Sequence, residues 1–406
     1  MTAASRNIVG LAVILGSATA LSPLSVDMYL PALPLLQNDF GVSAAAAQQT
    51  LSIFLLGMGV TQLLFGPVSD SLGRKGPMLF GMGIFVLASI GCALSAGVGQ
   101  FSAFRLVQAL GGAAGGVLGR AVARDHFDGP QLARLFSMIA LVMGLAPVLA
   151  PLAGTAVLLV APWRAIFWVL AALGMASFVL VWLGLRESLP PGARATLSLG
   201  EPFAAMRGMV RNRFFMGYSV AVSLSWSAMF CYIASSPFVF IVHFGLSPAQ
   251  FAALFCLNAL GLMASSQMNL RLLRRYTPAL LLRAALIAEC TVAMGLLALG
   301  LSGFGGAPAV AALLFCFVFC CGLVSPNAMA LAMGPFARGA GAAAALMGLL
   351  QGLAGASTTA LVGRMPGGGV VPMATVVLMA ALSAFAFGVL VAGGRGGAAR
   401  KVPEAA

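Results

Sequence analysis

The sequence predicts an all-α integral membrane protein in which twelve transmembrane helices form two six-helix, pseudo-symmetric bundles. Hydrophobic residues make up 61% of the 406 residues and charged residues only 8%, and the mean hydropathy is +1.04. Soluble domains are about one-quarter charged, so a soluble protein of this length is excluded. Apolar stretches of about 20 residues, the length that crosses a bilayer, recur along the chain. The pattern repeats at an offset of about 205 residues, which indicates two related halves.

Brief charged or Gly/Pro-rich breaks separate the apolar stretches, and each stretch is long enough to cross the membrane as a helix. An even number of spans places both termini on the same side. The predicted spans, in order, are residues 8–36, 46–69, 77–96, 100–121, 135–160, 163–185, 214–243, 249–270, 279–301, 308–333, 341–362 and 370–391.

The first span has an alternative interpretation as a cleaved signal peptide. Arg6 precedes the apolar run, and Ala18-Thr19-Ala20 resembles a cleavage site. The apolar run nevertheless continues through Tyr29 and Pro31, which makes it longer than the hydrophobic region of a signal peptide. We therefore expect the first span to be retained.

The net charge of +13 comes from 22 basic residues whose positions indicate membrane topology rather than nucleic-acid binding. With the N-terminus inside, 19 of the 22 lie on the cytoplasmic side, and only Arg105, Arg164 and Arg364 do not. Loops on the cytoplasmic side of membrane proteins are enriched in Lys and Arg. Both termini are therefore predicted to be cytoplasmic.

The longest polar connection divides the chain near its middle and contains Pro190-Pro191, Gly192, Gly200 and Pro202. We predict an N-terminal bundle of residues 1–186, a cytoplasmic linker of residues 187–212, a C-terminal bundle of residues 213–393 and a tail of residues 394–406. Parallel repeats of this kind occur in secondary transporters, whose substrate site lies between the repeats near the membrane midplane.

The sequence points to no metal, cofactor or nucleotide. The cysteines lack the paired spacing of a metal site or disulfide scaffold, and His126 and His243 are isolated. No G-x-x-x-x-G-K-[ST] loop occurs, so a primary pump is disfavoured and coupling must use an ion gradient or a partner. We expect no enzymatic activity. The cysteines, interpreted as packing residues, are Cys92, Cys231, Cys256, Cys290, Cys316, Cys320 and Cys321.

The turn between the second and third spans contains Gly66, Asp70, Gly73, Arg74 and Lys75. These residues and their spacing resemble the G-x-L-a-D-r-x-G-r-k motif of the major facilitator superfamily, although Ser71 stands where Arg is frequent. Glycines permit a tight turn and close helix approach. The resemblance implies that Asp70 latches the cytoplasmic side by approaching the N-terminus of the helix that follows Arg338, where the helix dipole favours an acid.

The fourth and fifth spans carry two further resemblances to this superfamily. Arg105 and Gln108 match the R-x-x-Q-G signature of helix four, with Ala109 in place of Gly. An arginine inside an apolar span costs about 2.5 to 3.5 kcal/mol and indicates a functional site, although snorkelling to the interface is an alternative. On the same helix Gly112, Gly115 and Gly119 continue a stripe that predicts close packing against another helix. In the fifth span Pro147 and Gly154, with Ala146 and Ala150 in place of glycine, partly resemble the antiporter motif, which implies export.

The segment Ser25-Val26-Asp27-Met28-Tyr29-Leu30-Pro31-Ala32-Leu33-Pro34 is very similar to the S-T-D-M-Y-L-P-A-L-P run of bicyclomycin and chloramphenicol resistance (Bcr/CflA) drug exporters. Further matches are Arg120–Asp125, Trp163–Phe167 and Ser325–Ala328. The resemblance implies proton-driven efflux of small, mostly apolar drugs across the bacterial inner membrane by a monomer. The expected partners are protons, such drugs and the lipid bilayer, and no nucleic acid.

Asp27 and Arg105 are the predicted proton-coupling residues. A carboxylate inside the hydrocarbon layer is expected to be protonated or paired during most of a transport cycle. We hypothesise that Asp27 exchanges a proton for substrate or for interaction with Arg105, although Asp27 could instead cap a helix segment broken by proline. Glu289 is a rival proton carrier, but in the superfamily its helix lies outside the cavity. We expect Glu289 to face a neighbouring helix or to snorkel past Arg283.

Substrate-contacting and gating residues complete the predicted site. The sequence leaves open which face of the seventh span lines the cavity. The predicted substrate contacts are Tyr29, Gln62, Gln108, Tyr218, Trp226, Phe230, Tyr232 and Asn327. The predicted gating residues are Gly66, Asp70, Gly73, Arg74, Lys75, Arg124, Pro147, Pro151 and Gly154. Export of an endogenous metabolite is the alternative function, and a non-transporting membrane receptor is a more distant one.

Overall fold

The fold is all-helical throughout the described chain, as predicted. The computed structural model describes residues 3–194, 200–334, 336, 340–365 and 369–391. Within these residues, twelve helical segments are long and apolar enough to cross a membrane. The predicted membrane class and number of spans are thereby confirmed.

The first six spans form the N-terminal bundle. Its helices are α1 (Ala3–Asp27), α2 (Leu33–Phe40), α3 (Ala44–Leu72), α4 (Lys75–Leu94), α5 (Val98–His126), α6 (Gly129–Leu158) and α7 (Arg164–Gly184), of which α1 and α2 share the first span. Helices α5 and α6 extend toward each other beyond the predicted apolar stretches, up to His126 and from Gly129. A helix continues past the bilayer where its backbone allows, whereas hydropathy marks only the apolar part.

The last six spans form the C-terminal bundle. A short helix in the predicted linker, α8 (Gly200–Arg211), precedes them. The spans are α9 (Arg213–Pro237, continued by a wider helical turn at Phe238–His243), α10 (Pro248–Leu272), α11 (Pro278–Ser302), α12 (Gly306–Met333), α13 (Ala340–Arg364) and α14 (Val370–Phe385, continued at Ala386–Val391). The described start of α13 follows Arg338, which lies outside the described residues.

The first span is broken just after Asp27. Helix α1 ends at Asp27, a short 3-10 turn covers Leu30–Ala32, and α2 begins at Leu33. Proline lacks a backbone N–H, so Pro31 cannot donate to the carbonyl of Asp27 as an α-helix requires. Asp27 therefore lies at a helix C-terminus rather than capping the start of a segment.

Helix α8 was not predicted within the linker. Its residues Met206 and Met209, three positions apart, are buried, whereas Arg207 and Arg211 are exposed. Both methionines belong to a cluster with Ala343, Leu346 and Met347 of α13. The helix forms because its apolar side has α13 to pack against, an opportunity that linker composition does not reveal.

The two bundles meet along two helix pairs, α3 with α13 and α6 with α10. The Cα atoms of Gly59 and Gly352 approach so closely that a Cβ on Gly352 would lie 2.9 Å from the Gly59 Cα. Near the far end of α6, the Thr155 hydroxyl donates to the Pro248 carbonyl at 3.4 Å. We call the end of the bundles that carries the Gly73–Arg74 turn the basic side, and the other end the opposite side. The bundles touch at the opposite side and part toward the basic side.

Candidate functional site

Arg105 is fully buried inside the N-terminal bundle, at 0% exposure. Its Nη1 donates to the carbonyl of Ser25 at 3.1 Å and to Oε1 of Gln108 at 2.6 Å. Gln108 Nε2 in turn donates to the Ser89 hydroxyl at 2.8 Å. Arg105 therefore does not snorkel to the interface. It connects α5 to the end of α1, two residues before Asp27.

Aromatic rings surround the Arg105 guanidinium. Its central carbon lies 4.4 Å from the ring centre of Tyr29 and 4.2 Å from that of Phe54, with Phe167 at 5.8 Å. A desolvated cation over aromatic faces gains about 2 kcal/mol from each favourable ring. The Nε and Nη2 atoms have no hydrogen-bond partner within the described part of the chain. The rings thus compensate part of the cost of burying the charge.

Asp27 lies near this site but does not pair with Arg105. None of the ion pairs between described residues joins them, because the guanidinium is directed to Ser25, Gln108 and the rings. Asp27 is 5% exposed, and the turn Leu30–Ala32 that follows it contacts α9 and α10 of the other bundle. The Tyr232 hydroxyl accepts a hydrogen bond from Asn258 Nδ2 at 2.6 Å. Asp27 is therefore at the contact between the bundles, and its exchange with Arg105 stays a prediction.

The end of α1 is held close to α6 by Gly154. A Cβ on Gly154 would overlap the backbone carbonyl of Met28, the residue after Asp27. Helix α6 continues through Pro147 and Pro151 without ending. The small residues of this motif therefore have a local physical role, which is to let α6 touch the backbone break that follows Asp27. In the same way, Gly115 of α5 allows close contact with the Ala18 carbonyl of α1.

A cavity of about 490 Å³ opens between the bundles at the basic side. One wall comes from α3 and α5, and the facing wall comes from α13 and from Met206 of α8. Asp70 and the start of α13 thus line the same cavity, and the predicted latch between them stays a prediction. The lining residues are Gln62, Leu63, Gly66, Pro67, Ser69, Asp70, Arg74, Val117, Arg120, Ala121, Arg124, Asp125, Met206, Gly341, Ala342, Ala344 and Ala345.

Arg74 connects the turn to α5. Its side chain pairs with Asp70 at 2.5 Å and with Asp125 at 3.0 Å, and it also donates to the Ser69 hydroxyl at 2.8 Å. Ser188, beyond α7, donates to the same oxygen of Asp125. Burial opposes the charge of Arg74, but hydrogen bonds and charges from Asp70 and Asp125 outweigh burial and raise the pKa of the guanidinium. The predicted motif is therefore completed by Asp125, which sequence reasoning did not assign.

Glu187 holds the backbone of the same turn. Its carboxylate accepts from the N–H of Arg74 at 2.7 Å and of Lys75 at 3.1 Å. Gly73 has φ +95°, and a Cβ there would lie 2.6 Å from the Glu187 carboxylate, so both conformation and space require glycine. Burial raises the pKa of Glu187, but these N–H groups, that of Leu189 and the charge of Arg194 outweigh it and lower the pKa.

Glu187→Gln is expected to destabilise the protein at neutral pH by about 1 kcal/mol. An amide has only one acceptor oxygen, so its NH2 group would face the N–H of either Arg74 or Lys75, while solvent screens the lost charge of this exposed group. A carboxyl whose folded-state pKa is lowered stabilises the fold above its unfolded-state pKa and loses that contribution as pH falls through the lowered value. Thermal unfolding should therefore show a difference from the unmutated protein that is full at neutral pH and disappears in acid below the ordinary pKa of 4.5.

Asp128→Asn is the control for this measurement, because Asp128 is exposed and its side chain makes no capping hydrogen bond. A destabilisation by Glu187→Gln that does not change with pH would contradict the role given to the carboxylate charge.

The predicted substrate contacts fall into two groups. Gln62 lines the cavity, and Tyr218, Trp226 and Phe230 are partly exposed. Phe230 and Leu55 both lie within contact distance of Gly355, so this face of α9 is directed to α13 and α3. The other four, which are Tyr29, Gln108, Tyr232 and Asn327, are buried.

The four buried residues satisfy partners within the protein. Tyr29 shares a 3.2 Å hydrogen bond with Thr50, and Asn327 Nδ2 donates to Asn269 Oδ1 at 2.6 Å. None of the four lines the basic-side cavity in this conformation, so their contact with substrate stays a prediction. Hydropathy cannot separate a buried polar residue from one that lines a cavity, since both interrupt an apolar span.

Four of the predicted gating residues line the cavity, namely Gly66, Asp70, Arg74 and Arg124. Lys75 instead donates from Nζ to the Trp182 carbonyl at 2.8 Å, which ties α4 to α7. Sequence reasoning missed Arg120, Met206 and Glu187. For Arg120 the available signal was its i, i+4 spacing from Arg124, which places both on one side of α5.

Glu289 does not reach past Arg283 to the interface. It is fully buried and faces α9 and α12. Of the two expected positions, the structure therefore shows the one in which Glu289 faces neighbouring helices.

Comparisons with known proteins agree with this architecture. The model of the Major Facilitator Superfamily matches residues 15–359. The uncharacterized MFS-type transporter YdgK of Bacillus subtilis (strain 168) is 36% identical over 355 residues, covering 87% of this chain and 88% of that protein. The bicyclomycin resistance protein homolog of Haemophilus influenzae is 33% identical, covering 86% and 88%. The multidrug resistance protein MdtL of Escherichia coli O6:K15:H31 is 30% identical, covering 82% of each chain.

Solved structures share the fold at low sequence identity. The peptide transporter POT in complex with sulfate matches with a TM-score of 0.76 and 16% identity, covering 96% of this chain and 94% of that one. The D-xylose-proton symporter matches with a TM-score of 0.72 and 16% identity, covering 94% and 98%. At this identity the likeness concerns the arrangement of helices and not the cargo.

Proposed function

This chain belongs to the Major Facilitator Superfamily of membrane transporters, and on that premise we propose that it exports small, mostly apolar drugs in exchange for protons by alternating access. The cargo resembles chloramphenicol or bicyclomycin. The protein functions as a monomer in the bacterial inner membrane, with its basic side and both termini toward the cytoplasm. The names of the Haemophilus influenzae and Escherichia coli relatives support drug export, and the predicted antiporter motif supports its direction.

The position of Asp27 is the observation that carries the proposal. Asp27 ends α1 inside the first span, at the contact between the bundles, and is almost fully buried. A charged carboxylate is costly at this depth and also unfavourable at a helix C-terminus, where backbone carbonyls already concentrate negative charge. Burial of Asp27 therefore favours its protonated form, and exposure to water on either side allows the proton to leave. As the protein alternates between conformations that expose Asp27 first to one side of the membrane and then to the other, protons cross the membrane one step at a time.

Arg105 couples that proton to helix movement. It binds the Ser25 carbonyl, two residues before Asp27, while it is fixed by Gln108 and the rings of Tyr29 and Phe54. A change at Asp27 that shifts the end of α1 therefore strains or relaxes the Arg105 contact. Gly154 on α6 touches the same backbone. The proton site is thus connected to α5 and α6, and through α6 to α10 of the other bundle.

Drug accumulation in an efflux-deficient bacterial strain tests this function. Cells that express the protein should accumulate less chloramphenicol, and a protonophore should abolish the difference. Asp27→Asn should raise accumulation to the level of the empty vector, because asparagine has the same shape but cannot exchange a proton. Asp27→Glu, at matched expression, should retain proton-dependent export. Export by Asp27→Asn that still collapses with the protonophore would reject Asp27 as the coupling residue.

Export of an anionic endogenous metabolite is a second candidate, favoured by the charge of the cavity. Arg120 and Arg124 line it, while the nearby acids Asp70 and Asp125 are both engaged by Arg74. Two arginines therefore face the cavity without an ion pair among the described residues, which favours an anion. Cells lacking the protein distinguish the two functions: unchanged drug susceptibility with intracellular retention of an anionic metabolite would favour this candidate.

A further inference from the structure

Glu289 of α11 is fully buried in the interior of the C-terminal bundle, at 0% exposure. Its Oε1 accepts hydrogen bonds from the Ser225 hydroxyl of α9 at 2.8 Å and from the Cys321 thiol of α12 at 3.4 Å. Its Oε2 has no hydrogen-bond partner within the described part of the chain. The carboxyl group therefore joins three helices of one bundle, and one of its oxygens is unused.

No cation within the described ranges compensates this acid. Cys290 on α11 and Cys320 and Cys321 on α12 are the titratable groups that face it, and thiols carry no positive charge. Helix α12 and the described part of α14 contain no Lys, Arg or His, while α9 has Arg213 only at its first residue and the continuation of α9 ends in His243. On α11 itself, Arg283 lies before Glu289 and forms no ion pair with it among the described residues.

An ionised carboxylate here would be an uncompensated buried charge, which is strongly unfavourable even after local relaxation. A protonated carboxyl leaves at most one unsatisfied O–H donor, which is a smaller cost. Both hydrogen bonds to Oε1 come from neutral donors and can also be made to the carbonyl oxygen of the protonated acid. They stabilise the ionised form more, but they do not supply the positive charge that a buried carboxylate needs. The geometry therefore favours a proton on Glu289 in this conformation.

Three consecutive residues of α9, Ser225 to Ser227, each form a hydrogen bond with a different helix. Ser225 binds Glu289 of α11, Trp226 Nε1 donates to the Ser325 hydroxyl of α12 at 3.0 Å, and the Thr358 hydroxyl of α13 donates to the Ser227 carbonyl at 3.0 Å. Helix α13 also lines the cavity and contacts α3 of the other bundle. A movement of α12 or α13 that opens or closes the cavity therefore displaces the residues beside the Glu289 donor.

We propose that Glu289 is a second proton-binding site of this transporter, occupied in the present conformation and emptied when α9 moves relative to α11 and α12. The proposal rests on the proposed proton-coupled function and extends it to the C-terminal bundle. Proton binding at Asp27 depends on the contact between the two bundles, whereas proton binding at Glu289 depends on helix packing inside the C-terminal bundle. The proton on Glu289 stabilises the conformation with α9, α11 and α12 together.

Infrared spectroscopy of the purified full-length protein tests the bound proton without any transport substrate. In an Asp27→Asn background, a pH titration should show the carbonyl stretch of a protonated carboxylic acid at neutral pH, and adding Glu289→Gln should remove that band. Ser225→Ala should shift the band without removing it, because it deletes one donor and keeps the acid. Absence of the band at neutral pH, or its survival in Glu289→Gln, would overturn the proposal whatever the protein transports.

Proton release on addition of chloramphenicol to detergent-solubilised protein tests the functional role. Gln is close in shape to Glu and accepts from Ser225 and Cys321, so Glu289→Gln should fold, bind the probe and release fewer protons per chloramphenicol than the unmutated protein. Identical proton release and an identical pH profile would make Glu289 a structural residue and overturn the proposal. Failure of the unmutated protein to respond to any drug would instead count against drug export and leave the infrared result to decide on Glu289.

Discussion

Arg105→Ala is expected to abolish proton-coupled export and to destabilise the N-terminal bundle. The change leaves the Ser25 carbonyl and Gln108 Oε1 without their donor, at about 1 to 3 kcal/mol for each buried group. It also empties the space between Tyr29 and Phe54, which adds the cost of a cavity. We expect lower thermal stability and chloramphenicol accumulation equal to that of the empty vector.

Arg105→Lys separates the loss of function from the loss of stability. Lysine keeps the charge, but a compact ammonium group cannot hold two acceptors in a planar fork while stacking on rings. The variant should fold nearly as well as the unmutated protein and still lose most export. Arg164→Lys is a control, because Arg164 pairs with Asp39 at a more exposed position near the opposite side. Normal export by Arg105→Ala would contradict the coupling role.

Gly154→Val is the second large effect that the structure predicts. The first side-chain carbon would overlap the Met28 carbonyl, a backbone atom that cannot rotate away, so α6 and the end of α1 must separate. Overpacking of this kind costs about 1 to 3 kcal/mol or more. The displaced backbone directly follows Asp27, and we therefore expect export to fall by a larger factor than stability alone explains.

A matched change on the same helix controls for helix propensity. Gly144→Ala places its Cβ 3.4 to 3.6 Å from Met263 of α10, which is ordinary contact with a flexible side chain. It should retain export, whereas Gly154→Ala should impair it and Gly154→Val should impair it further. Drug accumulation and thermal unfolding, measured at equal expression, give the comparison. Equal behaviour of Gly144→Ala and Gly154→Ala would show that close contact at Met28 does not matter for function.

The limits of sequence prediction are visible in particular residues. The motif residues from Gly66 to Lys75 were identified from their spacing, but Asp125 and Glu187, which bind the same turn, lie on other helices or beyond them. Nothing in the local sequence of Glu187 indicates that its carboxylate accepts from the Arg74 backbone. A helix broken by proline near Asp27 was already an alternative, but only the structure showed that Asp27 ends one segment rather than starting the next. Contacts between residues that are far apart in the sequence can be identified only in the packed structure.

The membrane class, the twelve spans and the resemblance to the superfamily could be derived from the amino-acid order alone. A bilayer imposes a rule that can be applied along the chain, since each span needs enough consecutive apolar residues to cross it. The packed helices were needed to show that Arg105 binds Ser25 and Gln108 rather than Asp27, and that Glu289 faces Ser225 and Cys321. Lipid and the protein interior are both apolar, so helix periodicity does not distinguish a face that meets lipid from one that meets another helix.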